Sequence, residues 1–139
     1  MGDQKIETVQ RIYAAFGTGD VPAILDELTD DVDFGSEVDS KIAPWHGLRR
    51  NKQEVTEFFQ AIGENLEVTE FTLLSIASND TDVMAVVRFG ITSKQTGRSG
   101  SMDLHQWWRF RDGKVYLYRG TEDTALMATI LGTSEMAHV

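Results

Sequence analysis

The chain has 139 residues, 41% hydrophobic and 25% charged, the length and mix of one globular domain with one core. Thirteen basic residues against 22 acidic ones give a net charge of −9, and Arg49, Arg50 and Lys52 form the one basic cluster, so no nucleic-acid partner is expected. The absence of cysteine excludes disulfides, thiolate zinc sites and a cysteine nucleophile; no apolar run approaches the roughly 20 residues of a membrane span, and the expected location is cytoplasmic.

In chain order, Ile6, Val9, Ile12, Tyr13 and Phe16 recur at helical spacing, and Gly17 and Gly19 end that helix. Asp20 can cap a second, shorter helix with Pro22 in its first turn. The run from Thr29 to Phe34 leads into a short extended segment. Residues 35–50 read as irregular and carry Trp45 and His46 in a loop. Asn51 with Glu54 forms a capping box ahead of a helix striped by Val55, Phe58, Phe59 and Ile62. From Leu66 the period becomes that of strands: Val68–Ala77, Val83–Ser93, Ser99–Arg111 and Lys114–Thr121, the last two joined by an Asp112-Gly113 hairpin signal. Asp123 can cap a last helix bearing Leu126, Met127, Ile130 and Leu131. Helices followed by strands predict one α+β domain over residues 1–139. Its curved antiparallel sheet, of four to six strands, would wrap around three N-terminal helices, with a short C-terminal helix and a cavity under the concave face.

Alternation sorts the third long strand into two faces. Leu104, Gln106, Trp108 and Phe110 should line the concave side, where Gln106 either orients a ligand oxygen or is a core amide satisfied by backbone or Tyr118. Asp103, His105, Trp107, Arg109 and Arg111 should face outward. There His105, Trp107 and Arg109 suit a homodimer interface better than an Asp103–His105 dyad. Trp45 could close over a flat ligand or plug against Phe58, and His46 reads as a solvated loop residue. Asp33 is a candidate base if it faces the cavity. Arg88, amid an apolar strand, needs Asp33, Glu37 or an anionic ligand as partner if it points inward, and is a surface residue if it points outward. Tyr118 should line the pocket as a donor. Histidines at 46, 105 and 138 lack metal-ligand spacing, so no metal is expected.

Four stretches carry a family resemblance: Val9-Gln10-Arg11 through Gly19-Asp20; Leu28-Thr29-Asp30-Asp31-Val32; Pro44-Trp45-His46-Gly47 with the aromatic helix behind it; and Trp108-Arg109-Phe110-Arg111-Asp112-Gly113-Lys114-Val115, ending in Glu122-Asp123-Thr124. Together they resemble the nuclear transport factor 2-like superfamily, in its SnoaL-like polyketide cyclase and ketosteroid isomerase branch. The resemblance implies a cone-like fold, a small-molecule pocket and pairing through the outer sheet face. Carried over, the isomerases' first-helix tyrosine falls on Ile12, beside Tyr13, and their general-base aspartate falls near Ser36. Their oxyanion-stabilising acid falls on Gln106. The aspartate that cyclases and epoxide hydrolases carry late in the last strand falls on Gly120, and the epoxide hydrolases' arginine and aspartate fall on Arg88 and Gly90. Two glycines at acid positions disfavour epoxide hydrolysis.

The resulting expectation is cofactor-free isomerisation or cyclisation of a small, mostly apolar carbonyl compound. Gln106 and Tyr118 would polarise the oxygen, and Asp33 or Glu37 would move the proton. Trp45, Phe58, Arg88, Leu104, Trp108 and Tyr13 would hold the ligand. The alternatives are a non-catalytic ligand-binding homodimer, or a structural homodimer with its cavity filled in.

Overall fold

Every helix begins where the sequence supplies a side-chain acceptor for otherwise unpaired backbone N–H groups. In the computed structural model, which describes residues 3–38 and 41–133, Asp3 caps α1 (Gln4–Thr18) and Asp20 caps α2 (Val21–Leu25). Asn51 caps α3 (Lys52–Asn65) through the Glu54 N–H at 2.9 Å, while the Glu54 carboxylate takes the Arg50 N–H at 2.8 Å. Asp123 caps α4 (Thr124–Leu131) through the Leu126 N–H at 3.0 Å. Each such cap contributes about 1 kcal/mol and fixes where the chain enters its helix.

Six strands form one curved, unclosed sheet: β1 (Leu28–Ser36), β2 (Gly47–Arg49), β3 (Leu66–Ser78), β4 (Asp82–Ser93), β5 (Ser99–Arg111) and β6 (Lys114–Thr121), in the order β2-β1-β6-β5-β4-β3. Strands β3 to β6 make the expected antiparallel meander. Strand β1 lies parallel to β6, with Phe34 beside Tyr118, so the sheet is mixed rather than antiparallel throughout.

Residues 35–50 are not uniformly irregular, as their glycines suggested. Strand β1 runs on to Ser36, and β2 pairs back on it, Ser36 against Gly47; residues 39 and 40 lie outside the described residues. The two glycines make this pairing possible instead of breaking the strands. Gly35 has φ +135°, and a Cβ there would fall 2.2 Å from the Gly47 carbonyl oxygen.

The helices bury their apolar stripes on the concave face. Val9 and Ile12 of α1 and Val55 of α3 pack with Phe34, Val83, Trp108, Val115 and Tyr118. A second cluster joins Trp45, Leu66, Phe89, Ile91 and Met102 to Met127 and Ile130 of α4. The β5 alternation is as predicted: Gln106, Trp108 and Phe110 are buried, while Asp103, His105 and Arg111 are exposed. No helix among the described residues is long and apolar enough to cross a membrane.

Candidate functional site

A cavity of about 90 Å³ lies where the two core clusters meet. Ile12, Tyr13 and Phe16 of α1 and Phe58, Phe59 and Ile62 of α3 form its roof. Phe34, Phe89, Leu104, Trp108 and Tyr118 of the sheet form its floor. In this largely aromatic chamber two polar groups stand out, one at each end.

The first is a directed chain of hydrogen bonds. The Trp108 indole N–H donates to the Tyr13 hydroxyl at 3.2 Å, and Tyr13 donates to Gln106 Oε1 at 2.5 Å. The Gln106 carbonyl is engaged by Tyr13, and the Gln106 side chain lies near enough to the Tyr118 hydroxyl to act on its pKa. Tyr118 lines the cavity, where its hydroxyl can donate to a ligand acceptor. Burial pushes the hydroxyls of Tyr13 and Tyr118 well above the ordinary tyrosine value. For Tyr118 the nearby Tyr13 and Glu122 push the same way, and the Gln106 amide partly offsets them. Both phenols therefore remain neutral donors.

Gly120 fixes where Tyr118 sits. These two residues share a face of β6, and a Cβ at 120 would lie 2.2 Å from the Tyr118 oxygen and 2.9 Å from Cζ. The hydroxyl of 118 occupies the space that a side chain at 120 would fill. Phe34 stacks on the Tyr118 ring at 4.4 Å, and Trp108 lies 4.4 Å away on a tilted plane.

The second group is a carboxylate and an imidazole. Glu122 Oε1 lies 2.7 Å from His46 Nε2 and accepts from the Trp45 indole N–H at 3.3 Å. His46 is only 3% exposed, which overturns its reading as a solvated loop residue. Glu122 Oε2 and His46 Nδ1 are both buried without a hydrogen-bond partner, and both residues line the cavity. Unpaired buried polar atoms cost about 1–3 kcal/mol each, so this end of the chamber gains from any ligand that donates to it.

Of the residues named from sequence, Tyr13, Trp45, Phe58, Leu104, Gln106, Trp108 and Tyr118 converge on the cavity. Three do not. Asp33 alternates with the inward Phe34 and so faces away, held by Arg119 at 2.9 Å and Arg50 at 2.9 Å. Glu37 is an exposed carboxylate 3.9 Å from Arg119. Arg88 points outward and pairs with Asp103 of the neighbouring strand at 2.6 Å. A charged side chain on a curved sheet goes to the convex face, where water and a cross-strand partner stabilise it. Ser36 reaches the cavity wall, its hydroxyl accepting from the Val38 N–H. Among the described residues no three His, Asp or Glu side chains converge as a metal site.

Glu122 was missed, although the signal was present. Continuing the β6 alternation from Tyr118 through Gly120 reaches Glu122 on the same face. Glu122 thus brings a carboxylate to the cavity two residues beyond Gly120, where the resemblance places an acid. His46 had no such signal, because the Glu122 that it meets lies 76 residues away in the chain.

A mixed sheet curled over helices around an aromatic chamber with a few polar groups defines a small-molecule pocket fold of the α+β class. The chain belongs to the SnoaL-like domain family, whose model matches residues 9–118. An NTF2-like protein of unknown function from Burkholderia pseudomallei superposes with TM-score 0.86 at 21% identity, covering 94% of this chain and 98% of that one. TerC, co-crystallised with polyporic acid, gives 0.85 at 20% identity, over 94% and 99%. A candidate polyketide cyclase from Xanthomonas campestris gives 0.75 at 17% identity, over 92% and 96%. At these identities the likeness establishes the fold. No curated protein matches the sequence.

Proposed function

We propose that the protein binds a small, mostly apolar carbonyl compound and moves a proton on it, in an isomerisation or cyclisation that needs no cofactor. One observation carries this reading: the Tyr118 hydroxyl and two buried unpaired atoms, Glu122 Oε2 and His46 Nδ1, belong to residues that line the same largely aromatic chamber. The carbonyl oxygen accepts from Tyr118, oriented by Gln106. Glu122 Oε2 takes a proton from the carbon beside the carbonyl, and the negative charge that develops on oxygen is stabilised by the Tyr118 O–H. His46 and Trp45, both on Oε1, hold the carboxylate in place and leave Oε2 to act. The same proton, returned to a different carbon, completes an isomerisation. That TerC was crystallised with polyporic acid supports a small-molecule role for this fold.

The test is deuterium uptake. Cyclic ketones incubated with the protein in heavy water should gain deuterium beside the carbonyl faster than in buffer alone, read by mass spectrometry. A second reading, binding without chemistry, is favoured by the missing acid at Gly120. It predicts ligands that raise the melting temperature yet exchange at the buffer rate.

The proposed protein partner is a second copy of the chain, docked on the convex sheet face. There Met84, Trp107 and Arg119 align across β4, β5 and β6. Met84 is 52% exposed, and the Arg109 guanidinium lies 5.0 Å over the Trp107 ring. Sedimentation should show a dimer that Trp107→Glu converts to monomer; a monomeric wild type contradicts this.

A further inference from the structure

A second cavity, of about 470 Å³, lies between α1, α2, α3 and β3. It shares Phe16, Phe59, Ile62 and Phe71 with the inner chamber, so the two spaces are divided only by one layer of side chains. Within that layer the Phe16 ring lies 4.9 Å from Phe71 and 6.0 Å from Phe59, rings in side-chain contact with no backbone between them. Val21, Ile24, Leu66 and Val68 continue the lining outward with Thr69 and Glu70 among them, and Val68 is 38% exposed. Gly17 and Gly63 border this space, and neither would meet any atom within 4 Å if given a Cβ.

Size decides what this means. Sites that enclose a typical ligand measure about 300–1,000 Å³. The inner chamber, at about 90 Å³, takes only a head group, whereas the adjoining space, at about 470 Å³, has room for a tail. Gln106, Tyr118, Glu122 and His46 all line the smaller space. We infer that the ligand is elongated: a carbonyl-bearing head in the inner chamber, joined to an apolar tail that displaces the Phe16, Phe59 and Phe71 layer and lies in the outer groove. Aromatic side chains packed mainly on one another can turn about χ1 and χ2 without disturbing a hydrogen bond, so the layer is a threshold that a tail can cross. Phe59 and Phe71 then determine specificity for tail shape, and the α1–α3 groove determines tail length. This rests on the proposed reading for the identity of the head, but the groove's role is tested separately from the chemistry.

The experiment uses alkylcyclohexanones substituted opposite the carbonyl, from methyl to octyl, with binding measured by calorimetry. Each added methylene should tighten binding by about fourfold, the equivalent of about 0.8 kcal/mol for a buried methylene, until the groove is full. Gly63→Trp fills the groove from a position with open space and should abolish the length dependence while leaving the methyl compound's affinity within about twofold. Val68→Glu, at a partly exposed site, should weaken the octyl compound at least tenfold and the methyl compound little. A flat series in the wild type, or an unchanged slope in both variants, overturns the inference even if deuterium uptake by the methyl compound is seen. A steep slope that Gly63→Trp removes supports it even if no member exchanges, in which case the proton-transfer reading alone fails. No binding by any member overturns both.

Discussion

The two ends of the inner chamber handle their polar atoms in opposite ways. At the α1 end, Trp108 donates to Tyr13 and Tyr13 donates to the Gln106 carbonyl, with the Tyr118 hydroxyl beside them on the cavity wall. At the β6–α4 end, Glu122 Oε1 receives the His46 and Trp45 nitrogens while Oε2 and His46 Nδ1 receive nothing. One end ends in a donor with a neutral, rigid support; the other ends in acceptors. A carbonyl compound with an acidic C–H requires that polarity, the donor at oxygen and the acceptor at carbon. The satisfied bonds position their groups, and the two unpaired atoms whose residues line the cavity are open to a ligand's own donors.

The comparison can be broken at the donor end by Gly120→Ala. Its new methyl group would displace the Tyr118 hydroxyl from its place in the cavity wall, so deuterium exchange should fall roughly 10²–10³-fold, the cost of losing an oxyanion donor. The same overpacking should lower stability by about 1–3 kcal/mol in denaturant titrations. Exchange unchanged by this variant would mean that Tyr118 is only a wall residue.

A smaller effect is expected from Tyr13→Phe, which removes the link that turns the Gln106 amide but touches no reacting atom. Exchange should slow roughly tenfold, about 1.4 kcal/mol, in kcat more than in KM. Because burial raises both tyrosines, the wild-type rate should show no alkaline loss as pH passes through the ordinary tyrosine value of 10.0.

The least effect on exchange, and a distinct effect on stability, should come from the outer face. The Arg109 guanidinium holds the carboxyl of Asp82 down at about 2, with Thr81 and Trp107 adding to it. That lies below the roughly 3.9 of an unfolded aspartate. Its stabilisation is therefore fully present above about pH 4 and is lost as pH falls toward 2. Asp82→Asn should lower stability by roughly 1–2 kcal/mol at neutral pH, flatten that acid limb of the melting curve and leave exchange unchanged.

Much of this architecture can be read from residue order. Caps at Asp20, Asn51 and Asp123, the alternation along β5 and the turn at Asp112-Gly113 are local signals, and local chemistry decides them. The site is legible only where it rides on such a pattern: Gln106, Trp108 and Tyr118 follow from strand parity. Asp33 and Glu37 misled because a carboxylate's chemistry says nothing about which face it takes, and Arg119 and Arg50, distant in sequence, hold Asp33 outside. His46 could not be found from its neighbours in sequence, since the Glu122 that meets its nitrogen is brought there by tertiary structure.

The most direct measurement compares Glu122→Gln with the wild type in deuterium exchange of a cyclic ketone, at matched folded fraction. Glutamine keeps the shape and can still accept from Trp45, but it cannot hold the abstracted proton. The account predicts a loss of roughly 10²–10⁴-fold, the usual contribution of a positioned base, with ketone binding retained. Exchange at the wild-type rate in that variant would contradict it.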